Sequence, residues 1–168
     1  MKKKSRIITI FLMILIGICM HFVIENISYE PLAKALGVIF PVNETSWEHM
    51  KMIWYPFLVA GIVISAKYKN RGYFGTFVIC AVGAMMVQLG AFAFYQSFAG
   101  ESNLAIDIFV YISSMFSCSL NAFALEKDEY FNKTWIVWII IAVVVTAGII
   151  YLTYNPGNGY IFMEDGDF

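Results

Sequence analysis

Residues 134–154 read TWIVWIIIAVVVTAGIIYLTY and carry no charged side chain. A helix needs about twenty mostly apolar residues to cross the roughly 30 Å hydrocarbon core of a bilayer, and this stretch meets that requirement. Four other stretches do so as well. The five predicted membrane helices are approximately residues 7–26, 46–66, 73–96, 104–125 and 134–154, with a loop at 27–45 and a tail at 155–168.

The composition of the whole chain agrees with this prediction. Hydrophobic residues make up 60% of the 168 residues and charged residues only 14%, whereas soluble proteins have about a quarter of their residues charged. The net charge of −1 argues against a nucleic-acid partner. We therefore expect one all-α transmembrane domain over residues 1–168, a polytopic helical bundle in the cell membrane with the lipid bilayer around it.

The N-terminal residues MKKKSR, followed by an apolar run, have the charge pattern of a signal peptide. The apolar run at residues 7–24 is longer than the roughly 7–15 residues of a signal core, and no small-x-small cleavage site follows it. We therefore expect a retained first helix.

Lysine and arginine are distributed unequally between the two ends of the predicted bundle. Nine of the eleven lie on the side of the N-terminus, and only Lys34 and Lys51 lie on the other side. Short cytoplasmic loops carry an excess of these residues. The sequence therefore predicts a cytoplasmic N-terminus and, after five crossings, an external C-terminus, with the 27–45 loop and the 155–168 tail outside.

The string PVNETSWEHMK at residues 41–51 opens the second helix. Thr45 and Glu48 have the spacing of a capping box, in which the hydroxyl and the carboxylate each accept a hydrogen bond from a free amide. We expect Lys51 at headgroup depth.

Pro56 lies inside the second helix and removes the amide that would donate to the Met52 carbonyl. This predicts a kink and a new partner for that carbonyl.

Polar side chains gather near the outer ends of the first four predicted helices, where burial is costly and usually marks a function or a buried pair. His21 and Glu25 are four residues apart and share a helix face. The fifth helix has no ionisable group and is expected at the periphery. We predict an outward-opening ligand-binding pocket between the first four helices, lined by His21, Glu25, Asn43, Glu44, Glu48, His49, Gln88 and Asp107.

Two imidazoles and several carboxylates suit a divalent metal such as zinc, and the candidate ligands are His21, Glu25, Glu48 and His49. The same groups suit acid–base chemistry. Structural pairing is the favoured alternative, because the sequence contains no HxxxH, HExxH or HxxEH spacing.

Three functions stay open. The chain binds a small ligand, cation or lipid headgroup in the pocket, or it is an intramembrane metal-dependent hydrolase acting on a lipid. Alternatively, it is an accessory subunit without chemistry, whose stripe of Asp107, Ser114 and Asn121 faces the bundle or a partner helix. The partner would be a second copy or another membrane protein. A transporter fits less well because no repeated halves are visible.

The string at residues 41–51, running into Trp54-Tyr55-Pro56, resembles the signature of DUF6512, a family of bacterial membrane proteins with a PVNES-WEH-K pattern followed by an aromatic–proline pair. The first helix, with His21-Phe22 and Glu25, and the segment of Thr153-Tyr154-Asn155-Pro156 leading to Phe162 and Asp165 are similar to the family as well. Gly157-Asn158-Gly159 departs from it, since a Pro-rich stretch is expected there. The resemblance implies a multi-pass membrane protein and names no reaction. It directs attention to Asn43, Glu44, Trp47, Glu48, His49 and Lys51.

Overall fold

The computed structural model describes residues 1–25, 27, 29–43, 45–99, 103–157 and 162, with the backbone alone at 24, 25 and 127. Over this part of the chain the protein contains helices and no strand, as predicted. The helices are α1 (Lys3–Glu25), α2 (Glu30–Leu36), α3 (Ser46–Tyr68), α4 (Gly72–Ala99), α5 (Leu104–Ala124), a 3₁₀ turn (Leu125–Lys127), α6 (Glu129–Lys133) and α7 (Trp135–Tyr154).

Five of these helices, α1, α3, α4, α5 and α7, are long and apolar enough to cross a membrane. They coincide with the five predicted spans to within a few residues, and the protein is therefore a membrane protein with a helical bundle. The prediction of a loop at residues 27–45 was incomplete, because this segment contains the short helix α2.

The bundle has α3 and α4 at its centre. These two helices pack against each other, α1 and α5 complete a ring with them, and α7 packs on the outside of α4 and α3. The buried share of each span agrees with this arrangement, since α3 and α4 are the most buried spans and α7 is the least buried. The peripheral position predicted for the last helix is confirmed.

The ends of the bundle differ in chemistry. We call the end where α1 stops and α3 starts the histidine end, because it carries His21 and His49. The other, where α1 and α4 start, is the basic end. There Glu126 is buried and accepts hydrogen bonds from the Arg6 guanidinium and the Tyr73 hydroxyl, the latter at 3.2 Å. These contacts join α1, α4 and the segment after α5.

The carbonyl that Pro56 leaves without its usual amide has a partner, as predicted. The Tyr111 hydroxyl on α5 lies 3.3 Å from the Met52 carbonyl oxygen and 3.3 Å from that of Ile14 on α1. A Cβ at Gly17 would lie 1.9 Å from this hydroxyl. The absent side chain at Gly17 thus lets Tyr111 reach the centre of the bundle, where it joins three helices.

The polar stripe on α5 faces the bundle only in part, which corrects the expectation. Ser114 is buried, whereas Ser117 and Asn121 are exposed. Each of these side chains donates to a carbonyl of its own helix, Ser114 to Tyr111 and Asn121 to Ser117. A helical side chain that bonds to its own backbone satisfies its polar group without a partner helix.

Candidate functional site

A cavity of about 530 Å³ lies at the histidine end between α1, α3, α4 and α5. Four of the eight predicted site residues line it, namely His21, His49, Gln88 and Asp107. Ser46 and Tyr111 also line it, and sequence reasoning did not assign these two residues to the site. The rest of the wall is apolar and consists of Ile18, Phe22, Met52, Phe92, Leu104 and Ile108.

The two histidines of the chain meet in this cavity, as the sequence predicted. Their ring centroids lie 5.3 Å apart with the planes at 81°, an edge-to-face arrangement. His21 also stacks on the neighbouring Phe22 at 5.2 Å. His21 comes from the last turns of α1 and His49 from the first turn of α3, so the pair brings together elements separated by the 27–45 segment.

Gln88 lies on the side of α4 that faces the bundle, in line with the buried residues Ala81 and Ala84. Its side chain is only 2% exposed, and its Oε1 atom is buried with no hydrogen-bond partner among the described residues. A buried acceptor without a partner costs about 1–3 kcal/mol. Gln88 is also one of the residues that line the cavity, so its amide side chain belongs to the polar part of the wall.

Asp107 lies in the first turn of α5, where the helix dipole favours a carboxylate. The helix starts at Asn103, whose side chain caps it by accepting from the amide of Ala105 at 3.0 Å. The Tyr95 hydroxyl of α4 donates to the Asp107 carboxylate. Tyr95 therefore fixes the acidic group of the cavity, and sequence reasoning did not foresee this role.

Glu48 is not part of this cavity wall. Its Oε2 atom accepts from Lys51 Nζ at 2.5 Å and from the Val42 amide at 2.9 Å. Its Oε1 atom accepts from the Thr153 hydroxyl of α7 at 3.0 Å. The carboxylate is thus committed to groups outside the cavity, on a different face of α3 from His49.

The four-residue metal set is therefore not assembled by the described atoms. Among the described residues, no group of three or more His, Cys, Asp and Glu side chains could hold a metal ion. The Glu25 side chain and Glu44, both in the predicted site, lie outside the described residues.

The capping box is only half formed, which corrects the sequence prediction. The Thr45 hydroxyl accepts from the Glu48 amide at 3.3 Å, as expected. The Thr45 amide, however, donates to Asn43 Oδ1 at 3.3 Å and not to the Glu48 carboxylate. The carboxylate is occupied by Lys51. Asn43 is thus a capping residue at the start of α3 and not part of the cavity wall.

The Lys51 side chain, which we expected at headgroup depth, is fully buried within the protein. Besides Glu48, its ammonium group donates to the carbonyls of Gly37 at 2.5 Å and Phe40 at 3.3 Å. Tyr55 donates to the Val38 carbonyl at 2.6 Å. The spacing of Glu48 and Lys51, three apart on one helix, was the signal that could have revealed this pair.

The string at residues 41–51 therefore divides between two sites. His49 and Ser46 face the cavity, while Glu48 and Lys51 hold the preceding segment against α3.

A protein-family model described as a family of unknown function (DUF6512) matches residues 1–166. No curated protein matches the chain, and no solved structure matches it.

Proposed function

The chain belongs to the DUF6512 family of unknown function, and we propose that it binds a small amphipathic molecule in the cavity at the histidine end. The observation that carries this proposal is the cavity of about 530 Å³ itself, whose mostly apolar wall includes His21, His49, Gln88 and Asp107. Ligand sites of proteins are typically a few hundred Å³, mostly apolar, with a few well-placed polar groups.

The polar groups of the wall define the ligand. Gln88 supplies an acceptor, Asp107 a negative charge, and the His21 and His49 rings can accept or donate. A molecule with an ammonium or hydroxyl group at one end fits this set best. Its apolar part would lie against Phe92, Ile108 and other hydrophobic residues of the wall.

A metal-dependent hydrolase receives less support. Glu48, one of its candidate ligands, is bonded to Lys51 and Thr153. An accessory subunit is also less favoured, because Asn121 of the α5 stripe bonds to its own helix. We further propose that the protein resides in the cell membrane with its N-terminus in the cytoplasm, so that the cavity opens to the exterior.

The test uses the detergent-purified full chain and four probes of one length: hexylammonium, hexanol, hexanoate and hexane. We expect hexylammonium, and hexanol more weakly, to raise the melting temperature, and hexanoate and hexane to leave it unchanged. Gln88→Leu should abolish this response. It should also make the ligand-free protein slightly more stable, because it replaces an unpartnered acceptor with an apolar group of similar size.

Gln96→Leu is the matched control. Gln96 is a buried glutamine of the same helix that lies outside the cavity wall, so this variant should keep the response to hexylammonium even if its own melting temperature changes. A Gln88→Leu protein that responds like the wild type, or equal responses of the wild type to all four probes, would contradict the proposal.

A further inference from the structure

A second hollow of about 680 Å³ lies at the basic end, between the end of α3 and the starts of α4 and α7. Its rim carries the cationic residues Lys69 and Arg71, and no carboxylate belongs to its wall within the described chain. The Arg71 guanidinium lies 4.2 Å from the centroid of the Trp135 ring. The indole thus holds one of the cations in a fixed place over the hollow.

A hydroxyl group adds to this polar rim. The Oγ atom of Ser65 in the wall is buried and has no hydrogen-bond partner in the described part of the protein. Lys69 and Arg71 together offer hydrogen-bond donors and two positive charges above this part of the wall. Phosphate groups are bound by this combination.

The backbone at Lys69 supports a role for its side chain. Lys69 ends α3 in the left-handed conformation, with φ 52° and ψ 35°. Glycine is the usual residue at this position of a helix end, because any other side chain is strained there. A lysine in this conformation places a long cationic side chain at the rim of the hollow.

Below the rim the wall is apolar and faces away from the bundle. Ile62 of α3 is 53% exposed and Ile139 of α7 is 40% exposed, and both line the hollow. In a membrane protein these outward surfaces contact hydrocarbon. An occupant of the hollow therefore meets cations at one end and lipid-like surface along the rest of its length. Tryptophan at such a boundary is typical of the membrane interface.

We propose that this hollow binds one anionic phospholipid of the surrounding leaflet. Its phosphate would contact Lys69 and Arg71, and one acyl chain would lie along Ile62 and Ile139. The site is separate from the cavity at the histidine end and does not depend on a ligand there.

The experiment measures lipid retention by native mass spectrometry on the delipidated full chain in detergent. The probes are dioleoylphosphatidylglycerol, which is anionic, and dioleoylphosphatidylcholine, which is zwitterionic and has the same chains. We expect the wild type to retain the anionic lipid preferentially. Basic residues at a membrane surface each contribute about 1 kcal/mol to attraction of anionic lipid. The double variant Lys69→Gln with Arg71→Gln should therefore lower the preference by about 30-fold.

Two further variants make the result specific. Lys67→Gln with Lys133→Gln removes two cations of the same end that do not line the hollow, and it should keep the preference. Ala66→Trp fills the hollow from an exposed position without changing charge and should reduce retention of both lipids. Displacement of phosphatidylglycerol by inorganic phosphate, or equal losses in the two double variants, would overturn the proposal.

Discussion

At the scale of single residues, Tyr111 explains how α3 accommodates a proline inside a membrane helix. The sequence alone indicates that the Met52 carbonyl has lost its amide partner, because Pro56 is four residues further on. It does not indicate which group replaces the amide, since Tyr111 is 59 residues away from Met52 along the chain. Local rules identify an unsatisfied group, and only the packing of α5 on α3 identifies its new partner.

We predict that Gly17→Ala destabilises the protein by about 1–3 kcal/mol, the usual range for an overpacked site. The added methyl group would lie 1.9 Å from the Tyr111 hydroxyl and 2.5 Å from the Met52 carbonyl oxygen. The measurement is the free energy of unfolding in an SDS titration.

Gly90→Ala is the control, because a methyl group there meets nothing within 4 Å. It should leave stability unchanged or raise it by up to about 1 kcal/mol, through the higher helix propensity of alanine. Combining Gly17→Ala with Tyr111→Phe should cost less than the sum of the two changes, since the phenylalanine lacks the nearer clashing atom. Equal stabilities of the two alanine variants would contradict the close approach at Gly17.

At the scale of elements, the segment between α1 and α3 is held down by side chains of its neighbours. Lys51 and Tyr55 of α3 donate to carbonyls of residues 37, 38 and 40. Tyr154 of α7 donates to the Lys34 carbonyl at 2.7 Å. The helix α2 within this segment has no buried residue, so it gives no periodic apolar pattern. For that reason sequence reasoning predicted a loop there.

We predict that Lys51→Met destabilises the protein by about 3 kcal/mol or more, because it leaves the buried Glu48 carboxylate without its cation. Combining it with Glu48→Gln should restore much of that loss, since no uncompensated charge then remains. The free energy of unfolding gives the magnitude. Limited proteolysis with proteinase K should show faster cleavage in residues 37–42 for both variants, because both lack the ammonium group that donates to the Gly37 and Phe40 carbonyls. Equal loss in the single and double variants would refute the charge-pair explanation.

The two neighbours Glu48 and His49 show why the candidate site was predicted only in part. Successive residues of a helix point about 100° apart, and the Glu48 and His49 side chains accordingly leave α3 in different directions. His49 and Met52, three apart, face the cavity, whereas Glu48 and Lys51, three apart, face the preceding segment. Clustering along the sequence correctly brought His21 and His49 together. The same clustering also assigned Glu48 to the cavity, although the Glu48 side chain lies on a different face of α3.

At the scale of the whole molecule, hydropathy predicted the number of membrane helices and most of their boundaries. This part of the fold depends on length and apolar composition, which are local properties of the chain. The arrangement of the helices depends on contacts between distant residues. Two such features were indicated by the sequence: the absence of ionisable groups in the last span indicated its peripheral position, and the polar groups near the outer ends of the first four spans indicated a shared cavity.

We predict that the two ends of the chain lie on opposite sides of the membrane, with the N-terminus inside. Alkaline phosphatase, which is active only outside the cytoplasm, should be active when fused after residue 168 and inactive when fused after residue 128. The reason is that nine of the eleven lysines and arginines lie on the N-terminal side. Activity of the second fusion and silence of the first would reverse the orientation and move the cavity to the cytoplasmic side.

The buried Glu126 has a consequence for how the protein is made. Its carboxylate binds the Arg6 guanidinium, which is 120 residues earlier in the chain. A ribosome must therefore complete α3, α4 and α5 before the cation near the start of α1 meets its counter-ion. Until then the nascent chain can keep Arg6 solvated at the membrane surface. The Arg6–Glu126 contact at the basic end of the four-helix ring consequently forms late in biosynthesis, shortly before the last span is inserted beside the ring.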